Sequence, residues 1–423
     1  MGSFKKIIFL FIAIICFSPA LGQGLSQSEE LGKSIFMDEN LSLYGNQSCA
    51  SCHGMEAGWT GPVSEVNQYG AVYEGSVTGS FGDRKPPSAA YATQSPVFAF
   101  HRQGGGLFIG GNFWNGRATG EKLGNPAADQ AQGPFLNTAE QALSDNACVV
   151  YFVCTSTYGA LMDAVYPGAC VIGWPADVGT QCAPPGGMVN LGVPNRALVD
   201  MAYDEIALSI ADYEASSEVN AFTSKYDAYL AGQTELTAME KDGLKLFNGK
   251  GKCSRCHTSK EKQGQAPLFT DYSFDNLGVP RNFDNPVYDS RGFDWVDEGL
   301  GEFLKTLPEY AGMAEDNEGA QKVPTLRNVD LRPNPDFIKA YSHNGYFKSL
   351  KSIVHFYNTR DVKPTCDDPF TSDADAMDQG CWPEPEVEEN VNDGELGNLK
   401  LTDAQEDAIV AFLKTLSDGY ISD

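Results

Sequence analysis

One five-residue pattern occurs twice in this chain, Cys49-Ala50-Ser51-Cys52-His53 and Cys253-Ser254-Arg255-Cys256-His257, and it limits the possible folds more than any other feature. Two thiols three positions apart reach the vinyl groups of a single porphyrin, and the histidine that follows is placed to bind the iron from the proximal side. A redox dithiol or half of a zinc site shares the Cys-x-x-Cys spacing, but neither needs histidine at the next position. With 11 cysteines and 5 histidines in 423 residues, two such matches are hard to ascribe to composition. The pattern therefore predicts two covalently bound haem c groups, with Cys49, Cys52, Cys253 and Cys256 as attachment points and His53 and His257 as iron ligands.

The N-terminal residues agree with this chemistry, because haem c matures outside the bacterial cytoplasm. Lys5 and Lys6 precede an apolar run from Ile7 to Phe17, and small residues follow at Ala20 and Gly22. That arrangement predicts a secretory signal peptide over residues 1–22, cut near Gly22, and a periplasmic mature protein. A retained anchor is the other reading, but the run is short for a membrane span. Ile15 before Cys16 is too large for a lipoprotein signal, and no later segment is long enough to cross a bilayer. Setting aside Cys16 and the four haem cysteines leaves Cys148, Cys154, Cys170, Cys182, Cys366 and Cys381. In an oxidising compartment these predict three disulfides, two within 148–182 and one closing 366–381. A formal charge of -26 argues against nucleic acid and anionic membranes. It suits either a solvated acidic surface or steering of a basic redox partner.

The two Cys-x-x-Cys-His sites divide the chain into halves with similar lead-ins, Leu31-Gly32-Lys33-Ser34-Ile35-Phe36 and Gly243-Leu244-Lys245-Leu246-Phe247. Apolar residues there recur at helical spacing, and Thr237 with Glu240 forms a capping box ahead of the second. A mainly α protein is expected, with two cytochrome c-type domains over 25–230 and 233–423, each holding one haem among long ordered loops. Ala202 to Leu230 is read as helix closing the first domain, and Ala231-Gly232-Gln233 as the boundary. The Gly/Pro-rich stretches 102–134 and 167–194 are read as loops, and Thr402 to Leu416 as the last helix. The acidic stretch 366–397 reads as a surface insertion held by a disulfide, with little sign of chemistry.

Further motifs resemble the bacterial dihaem cytochrome c peroxidase/MauG family over nearly the whole mature chain. Val323-Pro324-Thr325-Leu326-Arg327-Asn328-Val329, His343-Asn344-Gly345 and Val354-His355-Phe356-Tyr357-Asn358 are similar to its second half. Phe113-Trp114-Asn115-Gly116-Arg117-Ala118 resembles its FWDGRA signature, with asparagine replacing aspartate. The resemblance implies an N-terminal haem that reacts with hydrogen peroxide and a C-terminal haem that relays electrons. It places Trp114 between them as an electron-transfer station, where a packing role is equally compatible. Cleaving peroxide needs a proton moved from the inner to the outer oxygen. The family's GP…N…E segment matches Gly133-Pro134-Phe135-Leu136-Asn137-Thr138-Ala139-Glu140, so Glu140 is the candidate acid/base, a surface carboxylate being the other reading.

Departures from the peroxidase pattern sharpen the expectation. No histidine lies between His53 and His101, whereas many family peroxidases block the N-terminal haem with a distal histidine on the loop equivalent to about 75–84. An open N-terminal haem that needs no reductive activation is expected. Tyr357 stands where family peroxidases carry a methionine ligand of the C-terminal haem, as in MauG-type enzymes. A hard phenolate favours oxidised iron, and a thioether favours ferrous iron. Met313 and Met377 are the alternative ligands, with Tyr357 then a core aromatic. The family's interdomain Ca²⁺ is doubtful, because Lys85 replaces its asparagine ligand and leaves mainly the carbonyls of Ile338 and Ala340. His343 and His355 are expected to be hydrogen-bonding residues near the second haem, and His101 has no assigned role.

Three functions remain open on this reading. The first is a periplasmic dihaem c peroxidase taking electrons from a small cytochrome or cupredoxin. The second is MauG-like oxidation of tryptophan or tyrosine side chains of a partner protein. The third, of another class, is a non-catalytic dihaem electron carrier.

Overall fold

The structure, a computed structural model, describes residues 24–102, 105–262 and 264–421, so the signal peptide expected over residues 1–22 lies outside the described residues. Its organising contact is a crossed helix pair that occurs twice. The helix Gln27–Phe36 starts at a capping box of Ser26 and Glu29 and buries Leu31, Gly32, Ile35 and Phe36. It crosses the helix Val193–Ala215, whose buried face includes Ser209 and Tyr213. A Cβ added to Gly32 would lie 1.9 Å from the Ser209 carbonyl oxygen and 2.9 Å from the Tyr213 Cβ, so only glycine admits this approach. In the second half, Thr237 and Glu240 form the expected capping box for Ala238–Asn248, and Thr402 with Gln405 caps Asp403–Lys414. There a Cβ on Gly243 would lie 1.9 Å from the Ala408 carbonyl oxygen and 2.8 Å from the Phe412 Cβ.

An aromatic triad closes each crossing. Phe36, Trp59 and Tyr213 meet with ring centroids 5.6 to 6.0 Å apart, and Phe247, Phe269 and Phe412 with centroids 5.2 to 6.1 Å apart. Edge-to-face packing at such distances adds about 0.5–1.5 kcal/mol per pair beyond area burial. The first apolar core runs from Leu31 to Val219 and the second from Tyr226 to Leu416. A smaller cluster joins Phe98 and Phe108 of the first half to Leu300, Leu304, Ala314 and Ala320 of the second. Among the described residues strand is confined to two short antiparallel pairs, 99–101 with 107–109 and 274–275 with 321–322. Across the interface Arg84 clamps Asp297 through Nε at 2.6 Å and Nη2 at 2.5 Å, with both side chains buried.

The disulfides pair as Cys148–Cys182, Cys154–Cys170 and Cys366–Cys381, in keeping with the expected grouping. Loops of this size contribute about 3–4 kcal/mol each in the chain-entropy account. No single helix among the described residues is long and apolar enough to cross a membrane.

Three sequence expectations need correction. Part of the stretch read as loop is the helix Pro126–Leu136, started by Asn125 as N-cap with proline in its first turn. Its alanines and glycine gave no amphipathic stripe, although Ala127, Ala128, Ala131 and Phe135 are buried. The helix Lys225–Leu230, assigned above to the first domain, belongs to the second core. Tyr226 packs on Phe412 at 5.3 Å, and its amide donates to the Thr415 carbonyl. Finally, the acidic insertion is no mere surface loop, since Trp382, Glu386 and Val387 are buried.

Candidate functional site

Each Cys-x-x-Cys-His segment opens on a large cavity, and both cysteines and the histidine line it. Cys49, Cys52, Cys253 and Cys256 are the free cysteines among the described residues, whereas the other six are oxidised in pairs. Thiols kept out of disulfides beside a cavity fit thioether attachment of a porphyrin. Each histidine is oriented from behind. His53 Nδ1 lies 3.2 Å from the Trp59 carbonyl oxygen, and His257 Nδ1 lies 2.8 Å from that of Phe269. Such a bond fixes the tautomer and leaves Nε2 free for a metal. Burial lowers the His53 imidazole to about 4 and also lowers His257, which keeps both neutral, as an iron ligand must be.

The two anchoring carbonyls come from triad residues. Trp59 and Phe269 both adopt left-handed backbone, with φ of 61° and 54°. That conformation strains a bulky residue, and packing of the ring into its triad holds it there. Helix crossing, aromatic triad and histidine orientation thus form one unit, built twice.

The N-terminal cavity also receives Pro134, Asn137 and Glu140 from the end of the Pro126–Leu136 helix and the turn after it. Burial raises the Glu140 carboxyl above its ordinary range, partly offset by the Arg117 guanidinium and a hydrogen bond from Asn137. A carboxyl raised in this way is suited to take a proton and return it. His53 is the only histidine among the described residues lining this cavity. The expected loop contributes Gly82, Asp83 and Arg84 instead, and His101 is exposed on a strand. Sequence reasoning missed Glu214, a buried cavity residue on the Val193–Ala215 helix that burial raises to about 8. Its place inside a long helix with no clear apolar stripe carries no signal.

Trp114 lines both cavities. Only 8% exposed, it donates from Nε1 to the Lys85 carbonyl at 2.7 Å, while its own carbonyl accepts from the Lys322 amide at 2.7 Å. The C-terminal cavity takes Tyr357 from the helix Leu350–Thr359, whereas neither Met313 nor Met377 is among its lining residues. Burial raises the Tyr357 phenol, with the Cys253 and Cys256 thiols adding to the effect. Glu386, Val387, Glu395 and Leu396 of the insertion line the same cavity, so the segment expected to be inert helps build the site. His343 lines it too, while His355 Nδ1 pairs with buried Glu406 at 2.9 Å.

The position expected for Ca²⁺ does not suit a divalent cation. Buried Lys85 donates from Nζ to Thr60 Oγ1 and the Pro86 carbonyl, each at 2.9 Å. Lys339 Nζ is held by the carbonyls of Ala57, Asn328 and Leu331 at 2.7, 3.0 and 2.9 Å. The Ile338 carbonyl already accepts from Asn67 at 3.1 Å. Burial pulls Lys85 down to about 7 and Lys339 well below its ordinary value, with the Lys85 charge lowering Lys339 further. Two amine groups and no carboxylate ligand make a poor calcium site.

Residues 26–235 match the family described as di-haem cytochrome c peroxidase. The chain is 34% identical to the methylamine utilization protein MauG of Paracoccus denitrificans, over 92% of this chain and 88% of that one. It is 28% identical to the cytochrome c551 peroxidase of Pseudomonas aeruginosa, over 79% and 72%. The dihaem peroxidase BthA of Burkholderia thailandensis superimposes with a TM-score of 0.70 at 26% identity, covering 92% of this chain and 86% of the other.

Proposed function

The chain belongs to the di-haem cytochrome c peroxidase/MauG family and is a peroxidase-like haem enzyme; from that premise we propose that it is a periplasmic oxidoreductase that reduces hydrogen peroxide at its N-terminal haem and draws electrons through its C-terminal one. Cys49 and Cys52 would hold the first haem and Cys253 and Cys256 the second, with His53 and His257 as the iron-binding histidines. Bound there, haem would supply the redox chemistry that cleaves the O–O bond. Glu140 accepts the proton of the inner peroxide oxygen and delivers it to the outer one. Arg117 tempers the burial of that carboxylate, so that it can cycle between its two forms. Trp114 passes electrons between the cavities whose common wall it forms. The observation that carries this reading is that Glu140 shares a cavity with Cys49, Cys52 and His53, while Trp114 lines both cavities.

Tyr357 on the C-terminal cavity wall favours a MauG-like branch. As a phenolate ligand it suits an iron that keeps an oxidising equivalent until a partner protein's tyrosine or tryptophan supplies the electron. A cytochrome or cupredoxin donor is the peroxidase branch. The non-catalytic carrier fits poorly with a carboxyl in the histidine-free part of a haem cavity. Cyanide titration of the oxidised protein tests the proposal. One haem of two should bind, and the Tyr357→Phe spectrum should change at the other haem only. Two cyanide-inert haems would point to the carrier, and an unchanged Tyr357→Phe spectrum would remove Tyr357 as a ligand.

A further inference from the structure

Beside Trp114 lies a buried polar cluster that the peroxide chemistry described above does not use. The imidazole of His343 packs edge-on to the Trp114 indole, with ring centroids 6.4 Å apart. Its Nε2 has no hydrogen-bond partner and lies 3.5 Å from Glu386 Oε2, which is also unpartnered. The other oxygen, Oε1, accepts from the Tyr288 hydroxyl at 3.1 Å and from the Asp297 amide at 3.1 Å. Buried Tyr288 in turn packs at 5.9 Å on Trp295, which reaches solvent beside exposed Phe293. Trp114, His343, Glu386, Tyr288 and Trp295 therefore form a continuous series from the wall between the cavities to the surface.

Resting on the function proposed above, we propose that Tyr288 is a proton-coupled electron relay between Trp114 and the surface at Trp295. Oxidising a phenol at neutral pH requires that its proton leave with the electron. Tyr288 is equipped for that, because its hydroxyl already donates to a carboxylate. In the step, the Tyr288 O–H bond breaks, the proton moves to Glu386 Oε1, and the electron passes to oxidised Trp114, leaving a neutral phenoxyl. The oxidant is hydrogen peroxide, which takes up two electrons and two protons to give two waters. A one-electron reductant at Trp295 restores the phenol, and Glu386 returns the proton. Trp295 serves as conduit rather than resting place. Arg291 lies 5.1 Å above its ring, and that charge, partly balanced by Asp83 at 3.7 Å, disfavours an indole cation. The unpartnered His343 Nε2 and Glu386 Oε2 fit a proton that must shift and return, since buried polar atoms left unsatisfied are costly to a fold that makes no use of them.

The experiment uses the diferric holoprotein with one equivalent of hydrogen peroxide and no reductant. Freeze-quench electron paramagnetic resonance follows the radical, and mass spectrometry follows oxidised peptides. A phenoxyl signal that narrows with ring-deuterated tyrosine is expected, lost in Tyr288→Phe and diminished at least several-fold in Glu386→Gln, which keeps a hydrogen-bond acceptor but takes no proton. Trp295→Phe should leave the signal and slow its quenching by ferrocyanide. A haem spectrum that responds to peroxide with no Tyr288-dependent radical overturns the relay alone. A haem spectrum indifferent to peroxide overturns the peroxide reading, and the relay with it.

Discussion

Replacing Glu140 by glutamine preserves shape and hydrogen-bonding capacity but removes the proton acceptor from the N-terminal cavity. Two other carboxyls line that cavity, and neither is a ready substitute. Asp83 lies 3.7 Å from Arg291, and burial raises the Glu214 carboxyl to about 8, which keeps it protonated at neutral pH. The full contribution of one acid/base group should therefore be lost, about 10²–10⁴-fold, or about 3–5.5 kcal/mol of barrier. Stopped-flow measurement of the second-order rate constant for diferric protein with peroxide reads this directly. The pH dependence supplies an independent sign. Glu140 must be ionised to take the first proton, so the wild-type rate should rise with pH through its raised pKa. The Glu140→Gln profile should lack that step. A loss below tenfold, a retained step, or an equal loss in Glu214→Gln would refute the assignment.

Arg84→Ala strands the buried Asp297 carboxylate and should destabilise the protein by about 3–5 kcal/mol in chemical denaturation. Arg84 holds the Asp297 pKa below its unfolded value, so this pair stabilises fully above about pH 4 and loses its contribution as pH falls further; the wild type should show that acid loss and Arg84→Ala should not. Gly32→Ala or Gly243→Ala drives a Cβ to within 1.9 Å of a backbone oxygen, so each should cost about 1–3 kcal/mol or more and lower the yield of haem-loaded protein, whereas Gly312→Ala, with open space around it, should be near neutral. Chelation with EDTA should leave the thermal midpoint unchanged, because Lys85 and Lys339 occupy the expected cation position, while Lys339→Met, which deprives three carbonyls of their donor, should lower stability by about 1–3 kcal/mol in a denaturant titration.

What could be read from the sequence was whatever is written in local order. The spacing Cys-x-x-Cys-His, the Thr237 and Glu240 cap, and the Phe113 to Ala118 and Gly133 to Glu140 runs act over a few residues, and each contributes to a cavity wall or a helix end. The acidic segment 366–397 reads as inert in the sequence because its contacts are with distant partners. Glu386 accepts from Tyr288 and faces His343, 98 and 43 positions away. Lys339 escaped notice for the same reason, since its donors meet carbonyls contributed as far away as Ala57. The helix Pro126–Leu136 is hidden by small residues, whose weak apolar contrast leaves no clear stripe although Ala127, Ala128, Ala131 and Phe135 are buried. The repeat of the Gly32 and Gly243 crossings was visible only as two similar lead-ins. That these glycines set the distance between helices emerges only from what stands opposite them.

The most direct test of the account is a rapid-mixing experiment on the fully oxidised holoprotein with one equivalent of hydrogen peroxide, following the absorption of both haems without prior reduction. Two haems coupled through Trp114 should change together in a single phase, and Trp114→Phe should uncouple them, leaving the N-terminal haem to react alone. No reaction until an electron has been added, or simultaneous changes that survive in Trp114→Phe, would contradict it.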